Sequence, residues 1–175
     1  QVKNILNDSK CIITGNPIRN DLKILDKSES KNNLNFEQNK KLTLIIGGSQ
    51  GAKAINQHII NNIQFYIQNN YQILWQCGTN DLKKIKHKIN NQSIKIMHFI
   101  NNMSLAYSSA DIVISRAGAI TISELVFFQK AMILIPLPSA AENHQNFNAN
   151  YLINKKACKK INQEELTSGI LELSV

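Results

Sequence analysis

The sequence predicts an α/β domain, a Rossmann-like parallel β-sheet with helices on both faces. Short apolar segments rich in Ile, Leu and Val recur along the chain, as buried parallel strands do. Segments with helical spacing lie between them, and strict alternation of strand and helix produces βαβ units. The 175 residues, with 43% hydrophobic content, are enough for one domain with a full core.

Six strands are predicted, each bounded by Gly, Pro or polar turn residues. The pattern is clear in four segments, residues 42–47, 73–76, 111–115 and 132–136. It is weaker in two more, residues 94–99 and 157–161.

Helical spacing is clearest in residues 52–68, where Ile55, Ile59, Ile63 and Ile67 recur every four positions and form one apolar stripe. Further helices are predicted over residues 81–90, 103–109, 120–128, 143–155 and 163–173. Residues 20–41 are polar, rich in Asn, Lys and Ser, and have no periodicity. This composition indicates a surface loop or a poorly ordered connection.

The net charge of +8 raises the question of an anionic partner. A basic surface can meet nucleic acid, an anionic membrane or an anionic ligand. The densest basic run consists of Lys83, Lys84, Lys86, His87 and Lys88. Because no aromatic residues interleave it, we expect a solvated helix face and no nucleic-acid partner.

The cysteines, the hydropathy and the first residue indicate the class of protein. The three cysteines, Cys11, Cys77 and Cys158, are an odd number and far apart, which favours buried small side chains in a reducing compartment over disulfides or zinc. No apolar stretch approaches the roughly 18 residues of a membrane span. The chain begins without Met, so we expect a piece of a longer protein.

The loops that follow the strands are expected to carry the site, because ligands of parallel sheets bind at the carboxyl ends of the strands. After the first strand comes a glycine loop with Gly47, Gly48 and Gly51. Glycines let a phosphate approach the backbone, and the next helix adds free N–H groups. The spacing matches neither a dinucleotide fingerprint nor a P-loop. Phosphate binding and tight strand–helix packing therefore remain alternatives.

A second loop, after the strand at 111–115, opens a helix at Gly118. The amides of residues 119–121 would be free to bind an anion. Glu124 follows about one turn later, where a carboxylate can accept hydrogen bonds from both hydroxyls of a ribose. The alternative is a capping arrangement, with Thr121 or Ser123 serving the helix start.

Three further segments contain candidate residues. Gln145 and Asn148 share one helix face, and neutral amides suit sugar hydroxyls. Nearby His144 has no local partner, which favours a solvated side chain. Phe99 and Ile100 could hold a base, although a pair of core residues is the favoured interpretation. Arg19 could contact a diphosphate, since a guanidinium binds phosphate in a bidentate manner.

Taken together and in this order, five strings resemble the donor-binding, C-terminal domain of glycosyltransferase family 28, in particular its peptidoglycan N-acetylglucosaminyltransferases. They are TGNPIR, LIIGGSQGA, FINNM, ADIVISRAGAITISEL and ILIPLPSAAENHQNFNA. The family has the two-domain GT-B architecture. The resemblance therefore implies an interdomain segment at residues 1–19 and a UDP-sugar-binding domain at 20–175, with the N-terminal acceptor domain absent.

The resemblance also implies a binding site for UDP-N-acetylglucosamine. Ser49, with its glycine loop, and Arg19 would lie at the diphosphate, and the backbone of Ile100 would read the uracil edge. Glu124 would hold the ribose hydroxyls, and Gln145 and Asn148 those of the sugar. The remaining contacts would come from Ala119, Ile120, Thr121, Ile122 and Ser123. Where the family usually has Gly and Pro, near Gln129 and Ala131, this chain has neither, which weakens the helix stop.

The implied reaction is inverting transfer of N-acetylglucosamine to the muramyl 4-hydroxyl of lipid I, giving lipid II. We expect no metal, because the chain has no Asp-x-Asp pair, and no cofactor besides the UDP-sugar substrate. The catalytic base, the lipid I site and the membrane surface would belong to the absent domain, and the whole protein would be peripheral on the cytoplasmic face of the inner membrane. The alternatives are another family-28 transferase, a separate donor-binding subunit, and a non-catalytic nucleotide-binding or dinucleotide module.

Overall fold

A single six-stranded parallel sheet organises the computed structural model, which describes residues 12, 14–48, 50–166 and 171. The strands are β1 Leu42–Ile46, β2 Gln72–Gln76, β3 Ile94–Met97, β4 Ile112–Ser115, β5 Ala131–Leu134 and β6 Lys159–Lys160. Their order across the sheet is β3-β2-β1-β4-β5-β6, and every neighbouring pair is parallel. All six predicted strands are confirmed, with small shifts at their ends.

Helices connect the strands. They are α1 Lys27–Asn33, α2 Lys53–Gln68, α3 Thr79–Lys88, α4 Met103–Ser109, α5 Ala119–Phe127 and α6 His144–Asn154. Short 3₁₀ turns cover Ala141–Asn143 and Gln163–Glu165. The helix predicted over residues 163–173 is wrong over its first residues, where only the 3₁₀ turn forms. Residues 167–170 and 172–175 lie outside the described part of the chain.

The prediction that residues 20–41 form a loop or a poorly ordered connection is wrong for α1. This helix is polar and only seven residues long, so it shows no apolar stripe. Its start is fixed by Asp26, whose side chain accepts a hydrogen bond from the Glu29 amide at 2.8 Å. Such an N-cap satisfies one of the backbone donors that every helix start leaves free.

Two apolar clusters cover the two faces of the sheet. On one face, Leu44 and Leu74 pack against side chains of α4, α5 and α6. On the other face, Ile45 and Trp75 pack against α2 and α3. The predicted stripe of α2 is confirmed, because Ile55, Ile59 and Ile63 are buried there and Ile67 is partly buried.

The end of α5 shows the effect of the missing glycine. Gln129 follows the helix with φ of 52°, in the left-handed region that glycine adopts without strain. A side chain in that region costs about 1–2 kcal/mol, so this position is strained as expected from the sequence.

Asp111 ties α1 to the amino-terminal edge of the sheet. Its Oδ2 accepts hydrogen bonds from the Leu42 amide at 2.8 Å and lies 3.1 Å from Lys31 Nζ, and its Oδ1 contacts Lys27. Burial raises the pKa of Asp111, but the bonds from Lys27, Leu42 and Lys31 together outweigh burial and hold that pKa below its ordinary value.

We therefore expect the free energy of unfolding to decrease in acid through Asp111. Because the folded-state pKa is depressed, the stabilisation is fully present above the ordinary pKa of about 3.9 and is lost as the pH falls through the folded value. Asp111→Asn should be less stable than the wild type at pH 7, and the difference should shrink near pH 3 in urea unfolding. Glu164→Gln is the control, since Glu164 is exposed. A constant difference between Asp111→Asn and wild type at all pH values would contradict this role.

Candidate functional site

The strand order places a crevice at the carboxyl edge of β1 and β4. From β1 the chain extends to β2 and β3, and it then returns to β4 on the other side of β1. At such a reversal, the loops that follow two neighbouring strands lead to opposite faces of the sheet and leave a crevice between them. Open α/β sheets bind their ligands in this crevice. The two loops at this point, after β1 and after β4, are the glycine loop and the start of α5 predicted as phosphate-binding.

The glycines of the loop after β1 differ in what surrounds them, and the difference bears on the two interpretations, phosphate binding and tight packing. A Cβ at Gly51 (φ 79°) would lie 2.2 Å from the Cys77 carbonyl oxygen, so Gly51 is required for packing against the loop after β2. A Cβ at Gly48 (φ 78°) would meet no atom within 4 Å, which leaves open space beside its backbone. Ser49, predicted at the diphosphate, lies outside the described residues.

A cavity of about 740 Å³ lies beside this loop. Gly47, Gly48, Gly51 and Gln145 line it, together with Arg116. The Arg116 guanidinium donates to the carbonyls of residues 135 and 136 at 3.2 and 3.3 Å and to the Gln163 side chain at 2.6 Å. Burial lowers the pKa of Arg116. No carboxylate among the described residues pairs with it, so its positive charge is not neutralised by an ion pair.

The start of α5 has free amides, as predicted. Its N-cap, Gly118, has no side chain. The predicted capping bond is not seen, since among the described residues no backbone amide donates to a Thr121 or Ser123 oxygen. The Ile122 amide is the first to donate within the helix, to the Gly118 carbonyl at 3.0 Å, and the Ser123 hydroxyl donates to the Ala119 carbonyl at 3.0 Å. The amides of Ala119, Ile120 and Thr121 therefore remain as donors at the positive end of the helix.

Glu124 lies one turn further along, where its carboxylate already has two partners. Oε2 accepts from the Tyr107 hydroxyl at 2.7 Å, and Oε1 accepts from Arg19 Nε at 3.2 Å. Glu124 is only 7% exposed. Burial, the hydrogen bond to Glu124 and its charge raise the pKa of Tyr107 far above the ordinary value, so this hydroxyl stays a donor. Tyr107 was not predicted from the sequence, since a buried tyrosine that binds a site carboxylate has the same local pattern as a core residue.

Ile100 lies at the same edge of the sheet, after β3. It is 3% exposed, and its N–H donates to Gln76 Oε1 at 2.9 Å. Of the two main-chain polar groups of Ile100, the carbonyl is therefore the one that remains for a nucleotide base. The favoured interpretation of Phe99 as a core residue is wrong, because Phe99 is 43% exposed, whereas Ile100 is buried.

Gln145 and Asn148 share one face of α6, as predicted, and both contact residue 117. Gln145 Oε1 accepts from the amides of Ala117 at 3.2 Å and Leu137 at 3.0 Å, and Asn148 Nδ2 donates to the Ala117 carbonyl at 3.0 Å. The two side chains thus fix the turn that opens α5. Their remaining groups, the Gln145 nitrogen and the Asn148 oxygen, are the ones available to a sugar.

The segment around Asn16 lies along α5. Asn16 Nδ2 donates to the Ser123 hydroxyl at 3.2 Å and to the Ala119 carbonyl at 3.4 Å. With Ala119, Ile122, Ser123 and Asn148, Asn16 also lines a groove of about 790 Å³. Most of the predicted site residues are therefore distributed over this groove, the glycine-loop cavity, and the Arg19–Glu124 and Gln76–Ile100 contacts. Ile120, which is exposed, and Thr121, which is half-buried, lie at the start of α5 outside both cavities.

The remaining sequence candidates lie at the surface. His144 is exposed, as favoured from the sequence. The statement that it has no local partner is wrong, because its Nδ1 lies 2.7 Å from the Ala141 carbonyl oxygen. The basic run of α3 is exposed and forms the expected solvated face. Within the described ranges there is no cluster of three or more His, Cys, Asp or Glu residues that could hold a metal ion. No helix there is long and apolar enough to span a membrane.

Comparison with known families identifies the class of domain. The family described as "Glycosyltransferase family 28 C-terminal domain" matches residues 42–175. The chain belongs to this family.

Curated relatives carry the name UDP-N-acetylglucosamine--N-acetylmuramyl-(pentapeptide) pyrophosphoryl-undecaprenol N-acetylglucosamine transferase. The protein from Flavobacterium psychrophilum is 42% identical over 161 residues, which are 91% of this chain and 44% of that protein. The protein from Thermoanaerobacter sp. is 39% identical over 95% of this chain and 47% of its own length. The chain thus spans less than half the length of these relatives.

Solved structures confirm the predicted fold class, one Rossmann-like half of a GT-B glycosyltransferase. Acinetobacter baumannii MurG superposes with a TM-score of 0.73 and 27% identity, over 94% of this chain and 47% of that one. The solution structure of ALG13 superposes with a TM-score of 0.54 and 20% identity, over 77% of this chain and 84% of that one. The second match shows that the same fold occurs in a chain of similar length.

Proposed function

We propose that this chain is the donor-binding half of a peptidoglycan N-acetylglucosaminyltransferase and that it binds UDP-N-acetylglucosamine. One observation carries the proposal. At the strand-order reversal, the buried Glu124 carboxylate lies one turn beyond three free amides of α5. A carboxylate for two hydroxyls beside an anion-binding helix start fits a ribose attached to a diphosphate. The names of the curated relatives support this substrate.

Nucleotide binding would exchange the partners of Glu124 and Arg19. In the free chain the two side chains form an ion pair, with Arg19 48% exposed. A ribose diol would donate to the carboxylate, and Arg19, released from Oε1, would turn to the diphosphate with the amides of α5. The same groups would stabilise the charge that develops when UDP leaves, without a metal. The glycine loop with Ser49 would lie at the diphosphate as well.

Sugar recognition is proposed for Gln145 and Asn148, the Ile122 backbone and the Ser123 side chain. Because Gln145 also accepts from two backbone amides, its replacement would disturb both the sugar contact and the opening of α5. We therefore expect replacement of Gln145 to lower the affinity for UDP as well as for UDP-N-acetylglucosamine. A side chain that contacted only the sugar would affect the sugar nucleotide alone.

Transfer itself requires a second half. The lipid I hydroxyl must be held at the anomeric carbon, and a base must take its proton. We place the acceptor cleft, the base and the contact with the cytoplasmic face of the membrane in a partner domain, whether on the same polypeptide or on a separate one. The chain alone would bind the donor without transferring it to lipid I.

The test is calorimetric titration of the chain with UDP-N-acetylglucosamine, UDP, ADP and NAD. We expect the sugar nucleotide to bind more tightly than UDP, and ADP and NAD to show no saturable binding. UDP-glucose and UDP-N-acetylgalactosamine serve as controls for the sugar. Tighter binding of either control would favour another family-28 transferase, and equal binding of ADP and UDP would contradict the proposal.

A further inference from the structure

We propose that Tyr107 is a positioning residue of the nucleotide site, which holds the Glu124 carboxylate in the orientation that receives a ribose diol. This inference rests on the proposed function, because it concerns the side chain that supports the proposed ribose ligand. Tyr107 lies on α4 and Glu124 on α5. The two residues are 17 positions apart, and the Tyr107 hydroxyl donates to Glu124 Oε2 at 2.7 Å.

Glu124 needs a fixed partner in order to bind a diol. A glutamate side chain is long and flexible, so holding it in one rotamer costs conformational entropy. The Glu124 side chain is only 9% exposed, and an orientation that left its carboxylate unpaired there would be unfavourable. A partner that stays in place when the nucleotide arrives would remove both costs before binding.

Arg19 is not such a partner. Its Nε lies 3.2 Å from Glu124 Oε1, but its side chain is 48% exposed. An ion pair with an exposed partner holds a side chain weakly. In the proposed complex Arg19 turns to the diphosphate, so this contact is lost at the step in which Glu124 must be oriented.

Tyr107 has the properties that Arg19 lacks. It is 1% exposed, and its ring packs on Phe128 with the ring centroids 5.0 Å apart. Burial and the hydrogen bond to Glu124 raise the pKa of Tyr107, so its hydroxyl remains a donor to the carboxylate. The bond holds Oε2 on the buried side and leaves Oε1 on the side from which Arg19 approaches. The Tyr107 contact therefore persists when the nucleotide replaces Arg19.

The test compares binding of UDP and of 2′,3′-dideoxy-UDP, which lacks both ribose hydroxyls, by wild type and Tyr107→Phe. The variant loses the hydroxyl and keeps the ring that packs on Phe128. We expect Tyr107→Phe to bind UDP about tenfold more weakly than wild type, the equivalent of one hydrogen bond to a charged group. Its affinity for the dideoxy ligand should stay close to the wild-type value. Calorimetric titration, with displacement of the weaker ligand by the tighter one, gives both affinities.

The dideoxy ligand separates a positioning role from a merely structural one. The free amides at the start of α5 would bind the diphosphate of both ligands. If loss of the hydroxyl only displaced α5 or lowered the folded fraction, both ligands would lose affinity equally. An equal loss for the two ligands, or an unchanged affinity for UDP, would therefore overturn the inference.

Tyr66→Phe is the matched control. Tyr66 is 0% exposed and lies on α2, at the opposite face of the sheet. Removal of its hydroxyl should leave the ratio of UDP to dideoxy-UDP affinity unchanged. A ratio that changed equally in Tyr66→Phe and Tyr107→Phe would contradict a specific role for Tyr107.

A second background tests whether Tyr107 acts through Glu124. In Glu124→Ala, the further change Tyr107→Phe should cause no additional loss of UDP affinity, because the carboxylate that the hydroxyl positions is absent. An additional loss would show that Tyr107 acts independently of Glu124 and would overturn the inference while leaving the proposed function intact. Absence of UDP binding by the wild type would overturn both.

Discussion

Replacing Gly51 by alanine is expected to cost about 3–5 kcal/mol of unfolding free energy, whereas the same change at Gly48 should cost only about 1–2 kcal/mol. Both glycines lie at nearly the same φ, 79° and 78°, so the backbone penalty is common to both variants. Only at Gly51 would the new Cβ meet the chain, 2.2 Å from the Cys77 carbonyl oxygen.

The carbonyl cannot move away easily. The Cys77 amide is bonded to the Met97 carbonyl at 3.0 Å, and the Cys77 carbonyl accepts from the buried Asn56 side chain at 2.8 Å. Overpacking against such a fixed group adds to the φ cost. Urea unfolding of the two variants measures the difference, and equal losses would show that the loops after β1 and β2 do not pack as closely as described.

The strands and most helices could be predicted because burial leaves a direct pattern. Because both faces of a parallel sheet are buried, β1 is a nearly continuous run of apolar residues in the sequence. Because only one face of α2 is buried, its isoleucines form a stripe with helical spacing. Helix α1 lacks such a stripe. The available signal was the pair Asp26 and Glu29, an acidic cap three residues before an acidic residue, which marks a helix start without apolar spacing.

The candidate site could be predicted only in part. The loops that carry the site could be predicted from the fold, because they follow the carboxyl ends of the strands. The contact between Arg19 and Glu124 joins residues 105 positions apart, and no local pattern indicates it. For Gln145, the sequence indicated the correct helix face, but the two backbone amides that occupy its oxygen come from other loops.

The largest expected effect on ligand binding comes from Glu124→Ala. The carboxylate would accept hydrogen bonds from both ribose hydroxyls, and loss of a charged acceptor should cost about 2–3 kcal/mol, or roughly 30- to 150-fold in UDP affinity. The variant also removes the acceptor of the buried Tyr107 hydroxyl, so some stability will be lost with it. Glu164→Ala, which removes an exposed carboxylate, is the control and should bind UDP like the wild type.

The most direct test of the account combines this variant with a change in the ligand. Binding of UDP and of 2′,3′-dideoxy-UDP is measured by calorimetry for the wild type and for Glu124→Ala, which gives a four-membered cycle. If Glu124 holds the ribose diol, the wild type should lose affinity on removal of the hydroxyls, and Glu124→Ala should bind both ligands equally. If removal of the hydroxyls weakens binding by the same factor in both proteins, Glu124 does not contact the ribose, and the proposed nucleotide site is wrong.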